Sequence, residues 1–215
     1  MQESAYLLDG LELIVVDDRK EHREVSYKYT NGLKSFIEDI DKDKAPLYEP
    51  VSFSGEYNGI SIRGCFQHVD DYQENIFSFV NMVNTKDGGT HETGAKQAFT
   101  KIFNEYARKK GFLKQKDKNF EGTDVREGLS LVMNLTIPEK FLQFEGQTKS
   151  KLGTPEAKAS TDNVLSDCLR SFLEENPQIS EMLIRKIIKA AEARNAARKA
   201  RDAARSGSNK RKKEL

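Results

Sequence analysis

The stretch Leu129-Ser130-Leu131-Val132-Met133-Asn134-Leu135-Thr136-Ile137-Pro138 reads as a β-strand. Aliphatic side chains dominate it, and Pro138, which lacks a backbone N–H, stops it. Upstream, past the break at Gly88-Gly89, the residues Ala95, Ala98, Phe99, Ile102, Phe103 and Tyr106 line one face of a helix that ends near Gly111. Before that helix, Ile60 and Ile62 open a strand that reaches Val69, and Phe77 to Val83 gives another. Nearer the N-terminus, Leu11 to Val16 reads as a buried strand, and Val25, Tyr27 and Tyr29 alternate with polar residues as a half-exposed one. Leu33, Phe36, Ile37 and Ile40 form a short amphipathic helix opened by Asn31-Gly32, and 42–50 is a polar loop with two prolines. Helices and strands interleave but several strands are consecutive. That order predicts an α+β fold and not a doubly wound sheet.

Downstream of the strand, Thr154-Pro155-Glu156 carries the marks of a helix start: an N-cap hydroxyl, a proline at the first helical position and an acid in the first turn. Leu165, Cys168, Leu169, Phe172 and Leu173 predict its buried face. Asn176-Pro177 ends it and begins another helix, with Ile179, Leu183, Ile187 and Ile188 on one side, which then turns rich in Ala, Arg and Lys. Those residues are strong helix formers, so the helix is expected to reach about Arg205, a rod of roughly 40 Å at ~1.5 Å per residue. The chain therefore divides into an α/β core over 1–153, a packing helix over 154–176, a long basic helix over 177–206 and a disordered basic tail over 207–215.

Charge is distributed unevenly. Between Arg185 and Leu215 stand 12 Lys/Arg against 3 Asp/Glu, whereas the preceding residues hold 23 against 31. An acidic body with a basic arm suits contact with nucleic acid, and equally a helix kept soluble by its charges. The apolar run around Leu11 to Val16 is far short of the ~20 residues that span a bilayer, and no basic n-region precedes a long apolar stretch at the N-terminus. Cys65 and Cys168, 103 positions apart, form neither a CxxC pair nor a disulfide ladder, so two reduced thiols in a cytoplasmic protein are expected.

Three segments hold residues capable of chemistry. The loop 144–153 (Phe-Glu-Gly-Gln-Thr-Lys-Ser-Lys-Leu-Gly) sets Gln147, a neutral donor, beside Lys149, a compact point charge; such a loop can bind an anion, but from the residues alone plain surface is the preferred reading. Asp87-Gly88-Gly89-Thr90-His91-Glu92-Thr93-Gly94 has the glycines of a tight turn. It is not a phosphate-binding P-loop, because no Gly-Lys-Ser/Thr follows, and the three histidines (His22, His68, His91) do not pair at metal-ligand spacing. A structural turn, with Thr93 capping the following helix, is the preferred reading. Asp124-Val125-Arg126-Glu127-Gly128-Leu129 holds three charges before the strand. With no nucleophile or base in view, an Arg–carboxylate network fixing the loop is preferred over a catalytic acid.

Taken in order, 83–92, 124–129 and 144–149, continued through Glu175-Asn176-Pro177 and the Ala/Arg repeat from Ala190 to Arg205, these segments resemble the transducer domain of DNA gyrase B and its close relative topoisomerase IV B, the ATPase subunits of bacterial type IIA topoisomerases. One departure is Ala95, where the family usually has phenylalanine. The resemblance implies a fold similar to ribosomal protein S5 domain 2, with a left-handed βαβ crossover and a long C-terminal helix. It implies that Gln147 and Lys149 touch the γ-phosphate of an ATP held by a separate GHKL ATPase domain, with Mg2+ bound outside this segment. The long helix would carry motion toward a Toprim domain and a breakage-reunion subunit, with Arg194, Arg198, Arg201 and Arg205 facing a DNA duplex. No GHKL nucleotide motif and no acidic Toprim cluster is visible in this sequence. No catalytic or metal-binding residue is therefore assigned, and this stretch alone is expected to be inactive. The competing expectation is a stand-alone nucleic-acid-binding protein that uses the basic helix.

Overall fold

The computed structural model describes residues 2–8, 10–19 and 21–211. An N-terminal hairpin of strands Glu12–Asp17 (β1) and Arg23–Lys28 (β2) comes first. At the centre, Val51–Tyr57 (β3), Ile60–His68 (β4), Asn75–Val80 (β5), Val83–Asn84 (β6) and Leu129–Thr136 (β7) form a mixed five-stranded sheet, in the order β3-β4-β7-β5-β6. The aliphatic stretch that ends at Pro138 thus supplies the middle strand. It pairs antiparallel with β4 and parallel with β5. Seven of its eight residues are buried, which is what a strand covered on both faces requires.

Alternation along the strands sends side chains to two cores. Leu129, Leu131 and Met133 of β7 and Phe66 of β4 point to the larger one. There the helices Thr90–Lys109 (α3) and Glu156–Glu175 (α5) cover the sheet, and Phe66 stands edge-on to Phe99 and Phe172 with ring centroids 5.4 and 5.6 Å apart. Val132 and Cys65 point to the opposite face and meet Phe36 and Ile37 of Gly32–Ile40 (α2) and Tyr6 and Leu7 of Gln2–Leu7 (α1). A four-residue helix Gly122–Val125 (α4) precedes β7, and a helix of 35 residues, Pro177–Arg211 (α6), closes the described chain.

Several local expectations change. Leu11 to Val16 is not a buried strand: among the described residues β1 pairs with β2 alone, in a separate hairpin, and no sheet or helix layer covers the face of Ile14, which is 57 % exposed. Strand β3 escapes a reading by apolar content, since Ser52, Ser54 and Gly55 dilute it. The stretch Phe77 to Val83 is split by a tight turn at Asn81 and Met82, both with positive φ, into the β5–β6 hairpin. Thr154 does not cap α5. Its hydroxyl is buried, donates to the Phe141 carbonyl at 2.9 Å and accepts the Gln143 N–H at 3.0 Å, so it fastens the preceding loop instead. Helix α6 runs past the expected stop at Ser206-Gly207-Ser208, because a single glycine costs a helix only about 1 kcal/mol and no proline follows. Of the tail expected to be disordered, 207–211 are helical and 212–215 lie outside the described residues.

Candidate functional site

The segment between β7 and α5 folds back on itself. Phe144 bridges Leu152 antiparallel, the Glu145 N–H donates to the Lys151 carbonyl at 2.8 Å, and the Glu145 carboxylate pairs with the Lys151 ammonium at 2.8 Å. The result is a short projecting ribbon with Gly146-Gln147-Thr148-Lys149 at its tip. Gly146 and Lys149 both adopt positive φ, which a side-chain-bearing residue such as Lys149 rarely does. Gln147, Thr148 and Lys149 are exposed. Among the described residues neither the Gln147 amide nor the Lys149 ammonium has a side-chain partner. An unpaired cation beside a neutral donor on a convex tip suits one face of an anion and cannot enclose a whole ligand.

The base of this ribbon is tied to the Asp87–Gly94 turn. The Leu152 N–H donates to the Gly88 carbonyl at 3.0 Å, the Thr90 N–H donates to the Leu152 carbonyl at 3.1 Å, and the Asp87 N–H donates to the Ser150 carbonyl at 2.9 Å. Gly89, at φ 142°, makes that approach possible, since a Cβ there would lie 2.3 Å from the Leu152 oxygen. Two segments far apart in sequence therefore form one backbone unit. The helix behind them starts at Thr90 and not at Thr93, whose hydroxyl donates back to the Gly89 carbonyl. His91 is fully buried and bonded through Nε2 to the Thr85 hydroxyl at 3.0 Å, and burial lowers its pKa to about 4. The Ser78 hydroxyl donates to Glu92 at 2.7 Å, and burial raises the Glu92 pKa. These residues brace the turn, as the structural reading has it.

The third segment meets α6. Asp124 is buried and receives a two-pronged contact from Arg194, Nε to Oδ1 at 2.8 Å and Nη2 to Oδ2 at 3.0 Å, while Arg194 Nη1 donates to Glu121 at 2.7 Å. Hydrogen bonding to Asp124 raises the Arg194 pKa. Arg126 Nε donates to Glu74 at 2.9 Å, and Lys186 pairs with Glu127 at 3.3 Å. The Arg–carboxylate network expected around 124–128 is present. Sequence reasoning did not find its partners, because they are distant single charges in unremarkable contexts.

Arg194, Arg198, Arg201 and Arg205 follow the i, i+4, i+7, i+11 spacing of one helix stripe. The same stripe begins with the buried Leu183, Ile187 and Ala190. Arg194 ends on the body, whereas Arg198, Arg201 and Arg205 are exposed beyond it. The structure does not bring these arginines near Gln147 and Lys149 through any shared contact among the described residues. No described helix is long and apolar enough to cross a membrane.

Known proteins share this arrangement. A family model described as DNA gyrase B matches residues 32–203. The B subunit of DNA topoisomerase 4 from Bacillus subtilis is 55 % identical over 214 residues, which is 100 % of this chain and 32 % of that protein. The Staphylococcus aureus counterpart is 51 % identical over 198 residues, 92 % of this chain and 30 % of that one. The chain thus spans about a third of the length of the curated relatives it matches. The crystal structure of the 43K ATPase domain of Thermus thermophilus gyrase B, in complex with an aminocoumarin, superposes with a TM-score of 0.81 at 36 % identity, covering 94 % of this chain and 54 % of that one. A Francisella tularensis topoisomerase IV ATP-binding domain shares the fold at a TM-score of 0.74 and 23 % identity, over 90 % of this chain and 51 % of that one.

Proposed function

Because the chain belongs to the DNA gyrase B family, we propose that it is the transducer segment of a type IIA topoisomerase ATPase subunit, linking the nucleotide state of a neighbouring ATPase domain to DNA strand passage. The observation that carries this reading is the ribbon tip, where Lys149 is exposed and has no counter-ion among the described residues, on a loop whose base is held by backbone bonds to Gly88 and Thr90. Such a tip fits the terminal phosphate of an ATP, with Mg2+, held elsewhere in the same protein. Lys149 would supply a charge-assisted bond and Gln147 a neutral donor to an oxygen present before hydrolysis and gone after it. The chain fills only 54 % of the gyrase B 43K ATPase structure it superposes on, which leaves room in such a region for a separate nucleotide-binding part.

The same reading carries the finer fold assignment to the ribosomal protein S5 domain 2 type with its left-handed crossover. The connection from β5 through α3 to the parallel neighbour β7 supplies the βαβ crossover of that type. It also carries a cytoplasmic location, a Toprim domain and a breakage-reunion subunit as partners, and a DNA duplex beside α6. Arg198, Arg201 and Arg205 are the candidates to face that duplex, since Arg194 is occupied by Asp124 and Glu121. A stand-alone nucleic-acid-binding role is disfavoured by the family membership.

The test is Lys149→Ala in the complete ATPase subunit assembled with its partner. ATP turnover and nucleotide-dependent dimer closure should both fall, turnover on the order of a hundredfold as for other single donors to a developing charge. Unchanged turnover and closure would remove the proposed role.

A further inference from the structure

Helix α6 packs on the core from Ile179 to Ala191 and then leaves the body. Its buried apolar side chains end at Ala190, and residues 196–205 are all exposed. On one side of Arg194 a cleft of about 610 Å³ separates α6 from the loop at Asp71 and Tyr72, with Ala190, Ala193 and Ala197 on its helix wall. On the other side a second cleft, about 380 Å³, lies between α6 and Phe112, Leu113 and Phe120. At the inner end of the first cleft Lys186 donates to the Asp71 and Glu127 carbonyls at 3.2 and 3.0 Å; two turns farther out, between the two gaps, the Arg194 fork reaches Asp124 and Glu121.

The far side of that contact is stiff. Asp124 and Glu121 form a reciprocal capping box on α4: the Glu121 N–H donates to Asp124 Oδ2 at 2.8 Å, the same oxygen that accepts Arg194 Nη2. Two residues on, Arg126 holds Glu74, which also pairs with Lys96 at 3.3 Å. Lys96 in turn faces Glu92 at 3.9 Å, one helical turn earlier on α3. Glu92 sits against Gly88, whose carbonyl holds Leu152 at the base of the ribbon. Charged contacts, joined by the short backbone from Asp124 to Arg126, thus run from α6 to the start of α3.

We infer that Arg194 is a positioning residue: its fork on Asp124 and Glu121 sets the angle at which α6 leaves the body and couples that angle to the Gly88–Leu152 junction. The assignment goes beyond the nucleotide reading and stands on this chain's own geometry. A chain of contacts is not itself coupling, so both ends have to be measured.

The experiment uses the full chain with spin labels at Gln97→Cys on α3 and Ala203→Cys on α6, both exposed positions. Cys65 is buried, and the half-buried Cys168 is replaced by Ser in every variant, so label goes to the introduced pair. Arg194→Gln should broaden the inter-label distance distribution, Arg194→Lys should restore part of it, and Arg198→Gln should leave it narrow. In the same Arg194→Gln protein, amide exchange at Leu152 and Thr90 should quicken on the order of tenfold, with the β4 and β7 amides unchanged. A distribution and an exchange pattern identical to the unmodified chain would overturn the inference. So would faster exchange spread evenly over β4 and β7, which marks a general loss of stability, or an equal effect from Arg198→Gln.

Discussion

Gly89 and Leu152 approach so closely that a Cβ on Gly89 would stand 2.3 Å from the Leu152 carbonyl oxygen and 2.6 Å from its nitrogen. No side chain can be accommodated there without moving the ribbon that carries Lys149. Gly89→Ala adds a left-handed-region penalty to that clash, at φ 142°. The expected cost is about 3 kcal/mol or more, read as a shift of the urea midpoint with an unchanged slope. Loss of the Leu152 N–H bond should also show as rapid exchange of that amide. A variant as stable as the parent, with Leu152 still protected, would mean the approach is looser than described.

Lys149 and Gln147 should behave in the opposite way. Both are exposed and tip the ribbon without side-chain partners among the described residues. Lys149→Ala and Gln147→Ala are therefore expected to change folding stability by no more than about 0.5 kcal/mol. Lys149→Gly should be slightly stabilising, because φ 53° is a left-handed conformation that glycine adopts without strain. Thermal unfolding of the three variants checks this. It also separates a loss of nucleotide response from simple unfolding.

Gly94 provides an independent check on how α3 and α5 meet. A Cβ at this position would lie 2.2 Å from the Lys158 carbonyl oxygen, so the two helices cross at backbone contact. Gly94→Ala must push them apart over a core that includes Phe99 and Leu165. We expect a loss of about 3 kcal/mol, which for a domain of this size lowers Tm by roughly 6–12 °C. A Tm within a degree or two of the parent would show that the crossing yields easily.

How much of the molecule is legible in its sequence depends on the range of the interaction involved. The apolar periodicity of 95–106 and 165–173 and the run at 129–137 place α3, α5 and β7, because each records burial that repeats along one element. The exposed hairpin at Ile14 cannot be read, since apolar residues next to one another say nothing of what covers them. Thr154 misleads for a related reason. Its hydroxyl has the sequence context of an N-cap, but the Phe141 carbonyl and Gln143 N–H are nearer in space and take it. At the candidate site, the glycines and the Gln147/Lys149 pair are visible as residue types, whereas the contact between Gly89 and Leu152 is not. Arg194 shows the limit most clearly. As one of four arginines at even spacing it looks like the other three, and only the fold sets it against Asp124.

Two buried histidines make the stability of the chain depend on pH in a direction that can be worked out. His68 is held between the Tyr48 hydroxyl, 2.7 Å from Nδ1, and the Val125 carbonyl, 3.2 Å from Nε2. The carbonyl can only accept, so Nε2 carries the proton and Nδ1 accepts from Tyr48. Burial raises the Tyr48 pKa well above its ordinary value, which keeps that hydroxyl a donor. Burial also lowers the His68 pKa to about 4, and that of His91 to about 4. Both groups are thus neutral in the folded chain at pH values where the unfolded chain already binds a proton. The stability they contribute is complete above pH ~6.5 and is lost as pH falls from there toward about 4. By pH 5 the loss should reach about 2 kcal/mol per histidine, before most carboxylates begin to titrate. Urea unfolding at pH 7 and pH 5 measures the sum. In Tyr48→Phe, Nδ1 loses its donor, which costs about 1–2 kcal/mol at either pH, but the ring stays buried and the pH dependence remains. In His91→Gln the difference between the two pH values should fall by about half. A stability that is flat from pH 7 to pH 5 would mean that one or both rings reach water.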